Sequence, residues 1–331
     1  MRIILGLFGI AFILFVLYDV LWTTVRVEGA GPLTSWVTTA LWRMSLKLAR
    51  THRALAIAGF DVVLFTVLLW FCLVWLGWTL VLGMDPRSVV AVATGTPAGF
   101  WQRLYFTGTT LITIGNTEFQ PQGRFWQVLT PIAAANGFFL VTLVITYLLP
   151  LVQAVQQRRE IAVYISVLGA TPDEILLQAW NGNGFGVLQD HLVALAPRVV
   201  GLGQGHLNYP VLHCFHSWTR ASAIAPMIAV LDETLTLLEG IDPELCPDRV
   251  AVYPLRGAIQ HLLSTLAEAH LEPEKVPPPA PSLDGLRQAG IPTQSDDELQ
   301  RRVDGVADRR KLLSGLVEQE GWRWRDVFED K

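Results

Sequence analysis

The stretch Thr109–Pro121, TTLITIGNTEFQP, decides how this chain folds. It is a run of hydroxyl-bearing and small residues with a single glycine, set between two strongly apolar segments. Upstream, Thr96-Pro97 reads as a helix start, a capping hydroxyl followed by proline at the first helical position. The helix so begun would cover about 97–110, too short to cross a bilayer, which takes about 20 residues. The chain then turns irregular at TIGNTEFQP and becomes apolar again at Trp126. Lipid cannot satisfy irregular backbone, so such a segment must be buried in protein or line a water-filled path. The spacing predicts a re-entrant half-helix and loop, held between two spans.

Three segments are long and apolar enough to span: Ile3–Trp22, interrupted only by Asp19; Ala54–Gly83, interrupted only by Asp61; and Trp126–Leu151, without charge. A cleaved signal peptide would be the alternative reading of the first. Its apolar stretch is long for a signal core and no small-x-small cleavage site follows closely, so it is read as a retained helix. Composition agrees that the apolar excess is local. Of 331 residues 51% are hydrophobic and only 16% charged, and that imbalance is concentrated before residue 152. The net charge of −4 offers no basic surface for nucleic acid. Cys72, Cys214 and Cys246 have no paired spacing, which argues against a disulfide framework.

Basic residues orient the chain. Arg26, Arg43, Lys47, Arg50 and Arg53 lie between the first two spans against Glu28 alone, and Arg158 and Arg159 follow the third. The expected topology has the N-terminus and the 84–125 connection outside, with the first loop and the C-terminal region cytoplasmic. Between the first two spans, Val37, Leu41, Met44 and Leu48 form one stripe and Arg43, Lys47 and Arg50 a second. That is the pattern of an interfacial helix that turns its cations toward anionic headgroups; a voltage-sensing helix is the sharper alternative. Asp19 and Asp61 are expected to pair with this basic helix.

Beyond Pro150 the character is that of a water-soluble region. Helical segments are expected at roughly 172–180, 186–198, 217–240 and 248–270, then a stiff proline-rich linker at 272–282 and a capped helical run at 295–320. The expected fold is an all-α membrane protein: an N-terminal span and interfacial helix (1–53), a central 54–153 region (outer helix 54–83, short helix 97–110, loop 113–117, inner helix 126–151), a helical cytoplasmic domain (154–271), the linker, and a C-terminal helical segment (283–331).

Residues 55–153 resemble the pore domain of the tetrameric potassium-channel superfamily. That family's filter is a threonine pair followed by Thr-Val-Gly-Tyr-Gly-Asp. Thr110 through Glu118 fall in the same frame, with Thr113, Ile114 and Gly115 matching and Glu118 standing for the acidic residue above the filter. Tyr105 and Phe106 occupy the place of the aromatic support on the family's pore helix. Gly137 lies where bacterial members carry a hinge glycine in the inner helix. The resemblance implies a homotetramer of the bacterial inner membrane in which the carbonyls of Thr113–Thr117 bind a dehydrated cation. Potassium is the first candidate and sodium the second. Glu118 would form an outer acidic ring, and Tyr147, Leu148 and Pro150 an inner gate. Two departures stand out: Asn116 replaces the filter tyrosine and Thr117 the second glycine. If position 117 kept a left-handed backbone, its β-branched residue would be strained by about 1–2 kcal/mol.

Other signals carry less. Asn181–Gly186, NGNGFG, lacks the spacing of a nucleotide-binding turn and reads as a loop between helices. His206, His213, Cys214 and His216 cluster in sequence without any structural zinc pattern, so His213 and His216 are weak metal candidates only. Asn136 would face a cavity or bond a neighbouring helix. Pro131 and Pro150 would bend the third span. No nucleophile–base pair stands out, and no enzyme activity or cofactor is expected. Three functional readings remain: a passive monovalent-cation channel regulated by its cytoplasmic domain; a non-conducting, channel-derived sensor or scaffold working through that domain; and, last, a metal-dependent activity of that domain centred on His213 and His216.

Overall fold

Charged and apolar residues divide between two compact units in the computed structural model, 1–44 with 60–151 and 45–59 with 152–331. The structure describes residues 1–26, 29–48, 52–269 and 271–329. Glu28 and Arg50, the latter read as facing headgroups, lie outside them.

The first unit is built from α1 (Arg2–Val25), α2 (Pro32–Leu48), α3 (His52–Leu82), α4 (Phe100–Leu111) and α5 (Arg124–Leu168), with α2, α3 and α5 running on into the second. Among the described residues, α1, α3 and α5 are the helices long and apolar enough to cross a membrane. Their core is an interior of Ile13, Val16, Val20, Trp70, Val74, Trp78, Phe106, Leu111 and Leu140. This is an all-α membrane protein with one small addition. Strands β1 (Val89–Ala91) and β2 (Phe119–Pro121) pair antiparallel in the connection that carries α4, Val90 opposite Gln120.

That hairpin corrects one expectation. Thr96 and Pro97 do not start α4. Pro97 bridges to Val90, and the amide of Ala91 donates to Thr96 O at 3.0 Å. The helix begins three residues later, where the Gly99 amide donates to Gln102 Oε1 at 2.7 Å. With Thr96 O and Ala98 N on either side of it committed to strand pairing, Pro97 cannot also set the first helical turn.

Asp19 is a second correction. It has no basic partner among the described residues; it is fully buried, and its carboxylate accepts from the Leu33 amide (2.8 Å), the Thr34 hydroxyl (2.6 Å) and the Trp70 indole (2.9 Å). The first amides of α2 lack intrahelical acceptors and carry the positive end of the helix dipole, so a carboxylate there substitutes for an ion pair. Asp61 is exposed on α3.

The second unit adds α6 (Pro172–Ala179), α7 (Gly186–Asn208), α8 (Ile224–Leu238), α9 (Arg249–Ala269), α10 (Asp284–Gln288), α11 (Asp296–Gly305) and α12 (Ala307–Gln319). Helix α8 is buried at all of its positions, Asp232 and Glu233 included. Both carboxylates are paired: Asp232 with Arg256 at 2.9 Å and Arg309 at 3.1 Å, Glu233 with Arg310 at 2.7 Å. Arg310 also donates to the carbonyls of Pro278 (2.9 Å) and Pro279 (2.7 Å). The proline-rich 272–282 stretch is thus a strap laid against α12. The expected 295–320 run is two helices, broken at Val306.

Candidate functional site

The α4–α5 connection starts from a helix wedged by two glycines. Gly108 lies under the Trp75 ring, where an added Cβ would come within 2.9 Å of the indole, and that indole donates to Leu104 O at 2.7 Å. Gly137 of α5 meets the last turn of α4, and a Cβ there would collide with the Leu111 carbonyl, 2.7 Å from its carbon. Phe106, Thr107 and Leu111 are buried, whereas Tyr105 is half exposed and packs edge-on against Phe119 with centroids 6.3 Å apart. Gly137 lies near the middle of the apolar part of α5, about 16 Å along the helix from Trp126. The end of α4 therefore stands at mid-depth of that span. Beside it, Asn136 accepts the Trp78 indole at 3.0 Å, bonding a neighbouring helix.

Helix α4 ends in a Schellman-type turn. Ile114 N donates to Thr109 O and Thr113 N to Thr110 O, each at 3.0 Å. Such a turn needs a left-handed residue, and here it is Thr113, φ +57°; Gly115 follows at φ +84°. Thr113 is the positive-φ residue other than glycine among the described residues, strained by about 1–2 kcal/mol. The strain foreseen at Thr117 thus sits four residues earlier.

Asn116 closes the loop. Its Oδ1 accepts from the amides of Glu118 (2.9 Å) and Phe119 (2.8 Å), and its Nδ2 donates to Thr109 Oγ1 at 3.4 Å. The residue departing from the filter pattern thus braces the loop with hydrogen bonds. Val92 N donates to Glu118 O at 2.8 Å, tying the far end to the hairpin. Between these anchors Thr113, Ile114, Gly115 and Thr117 are exposed, Ile114 at 73%, and the Glu118 side chain is exposed as well. Among the described residues, nothing donates a hydrogen bond to the carbonyls of Thr113, Ile114 or Gly115.

On α5 the helix runs unbroken through Pro131 and Pro150. Of the three residues read as a gate, Tyr147 is buried and Leu148 and Pro150 are half-buried. The exposed side of that stretch carries Thr142, Ile145, Thr146 and Leu149, one stripe at helical spacing. Arg43 and Lys47 are exposed on α2, as are Met44 and Leu48 of its apolar stripe.

His213 and His216 do not converge. His213 Nδ1 faces Pro210 O, whereas His216 stacks on Trp322 with centroids 6.1 Å apart. No group of three metal-ligating side chains occurs among the described residues. Burial pushes the Cys214 thiol up to about 12, which keeps it protonated and unreactive. Asn181–Gly186 is the loop between α6 and α7, closed by Asn181 Oδ1 accepting from the Asn183 and Gly184 amides.

Sequence reasoning missed the indole partnerships of Trp70, Trp75, Trp78 and Trp126, the last to Asp85 at 3.1 Å. The signal was present: isolated Asp19 and Asn136 in apolar helices need donors, and a buried Trp N–H needs an acceptor.

No known family profile matches the chain, and no solved structure does. The chain is 34% identical over 309 residues to YdjJ of Bacillus subtilis (strain 168), described as an uncharacterized membrane protein, with 92% of this chain and 91% of that one covered. Identity at that level over nine-tenths of both chains shows common descent, and so this chain belongs to the family of the membrane protein YdjJ.

Proposed function

We propose that this chain is a potassium-channel-like channel conducting monovalent cations passively through a homotetrameric pore. One observation carries the reading. The Thr113, Ile114 and Gly115 carbonyls stand exposed and unbonded on a loop that leaves α4 at mid-depth of the third span. Backbone in that position needs water or an ion. Four copies about an axis would turn these oxygens toward a dehydrated cation, with the α4 C-terminal carbonyls adding partial negative charge below. α4 is then the pore helix, 113–117 the filter, and Glu118 an outer ring that concentrates cations. The topology is N-terminus outside, helical region cytoplasmic, in a bacterial inner membrane.

Purified protein in potassium-loaded liposomes should give a cation flux that Gly115→Asp removes. The reversal potential under opposed potassium and sodium gradients then reports the preference. A second reading, a non-conducting anchor or sensor, is favoured by the Asn116 clamp and by Thr113 serving as a helix cap. Absence of flux from a stable tetramer would select it.

A further inference from the structure

A cavity of about 260 Å³ in the second unit has the chemistry of an anion site. Its walls come from the first turns of α3 (Ala56), from α5 just past its apolar run (Val155, Arg158, Arg159), and from the Phe215–Trp218 loop before α8. The loop is held directly on α3: a Cβ at Gly59 would sit 2.7 Å from Cys214 O. Arg158 is 6% exposed. Its Nη1 donates to the carbonyls of Leu212 and Phe215 and its Nη2 to Glu320 at 2.7 Å, while its Nε has no partner among the described residues. Glu320 neutralises that charge and accepts from the Ala225 amide at the start of α8.

Arg159, on the cavity rim, is exposed and has neither ion pair nor hydrogen bond among the described residues, and no carboxylate lines the cavity. The site therefore keeps one uncompensated guanidinium, flanked by the α8 N-terminus and by Ser217. A guanidinium fork suits a phosphate, and the first turn of a helix adds favourable potential. The remaining wall is apolar, and Trp218 is 56% exposed beside it. Ala56 lies in the first turn of the second candidate span and Val155 just past Leu151, where the apolar run of α5 ends, which is where headgroups lie and where tryptophan collects. We infer that this cavity binds a phosphate-bearing anion, with the amphiphilic form, an anionic phospholipid, fitting both its basic rim and its apolar wall. Because Arg158 and Arg159 are on α5 itself, an occupant would act directly on the helix that continues into the third span. The inference does not rest on conduction.

The test uses the full chain in a maltoside detergent, which carries no phosphate. It is titrated with short-chain phosphatidylglycerol and, separately, with glycerol 3-phosphate, and binding is counted by native mass spectrometry. Saturable phosphatidylglycerol binding, weakened about tenfold by Arg159→Gln and unchanged by Arg249→Gln at an exposed position of α9, is the expected result. Trp218→Ala should weaken the lipid more than glycerol 3-phosphate. Glycerol 3-phosphate binding as tightly, with the same dependence on Arg159, keeps the site and makes its ligand soluble. No saturable binding, insensitivity to Arg159→Gln, or an equal loss in Arg249→Gln overturns the inference.

Discussion

At the scale of single residues, Gly137 and Asn116 carry the most information. Gly137 was read as a hinge, yet its structural demand is contact: its bare Cα lets the Leu111 carbonyl approach α5. Gly137→Ala must push the end of α4 away, an overpacking worth about 1–3 kcal/mol. A lowered thermal unfolding midpoint in detergent is expected, together with altered flux. Gly257→Ala makes the contrast, since that exposed α9 position has open space and should gain about 0.5–1 kcal/mol. An unchanged midpoint for Gly137→Ala would return the position to a purely hinge-like role. Asn116 shows how far a motif reads. The frame around Gly115 was legible because glycine's φ of +84° is a local requirement, whereas the three hydrogen bonds of Asn116 depend on where Thr109 and Phe119 come to lie.

At the scale of elements, the helices announced themselves through length and apolar run, and their ends did not. α4 starts after Pro97 because Thr96 and Pro97 are drawn into pairing with β1, a tertiary choice that overrides capping propensity. α2 is placed by Asp19, which reaches its first amides from α1. The α12–α5 connection carries a pH dependence. Burial raises the Glu320 carboxyl above its usual range, against the pull of Arg158. The folded chain then binds a proton there that the unfolded chain does not, so this group favours folding increasingly as pH falls toward about 4.3 and opposes it as pH rises. Thermal midpoints of the solubilised protein from pH 5 to 8 should show that slope, and Glu320→Gln should flatten it. A Glu320→Gln slope identical to wild type would mean that the carboxyl titrates normally.

At the scale of the whole molecule, each unit has its own organising core. In the first, four indoles tie segments together by donating to Asp19, the Leu104 carbonyl, Asn136 and Asp85. In the second, Arg310 joins α8, α12 and the proline strap. Arg310→Leu leaves Glu233 buried without its partner and releases two carbonyls, a loss of about 3–5 kcal/mol. Limited proteolysis should then cut within 272–282, and the double variant Glu233→Leu/Arg310→Leu should recover part of the stability. Equal loss in single and double variants would mean that the strap, and not the ion pair, holds the unit. The proline run itself was visible in sequence as a stiff segment, but nothing local says what a stiff segment docks on.

The sequence alone determined that the chain is helical and membrane-embedded, with three long apolar runs and one short helix followed by an irregular loop around Gly115, because hydropathy and glycine conformation are properties of neighbouring residues. Only the tertiary structure decided that Asp19 caps a helix, that Thr113 bears the backbone strain, that Gly137 is a contact, and that Arg159 lines a cavity with no counter-ion among the described residues. Apart from Thr113, whose strain comes from the turn that ends α4, each depends on groups well separated in sequence, brought together by burial and by the need of every buried polar group for a partner.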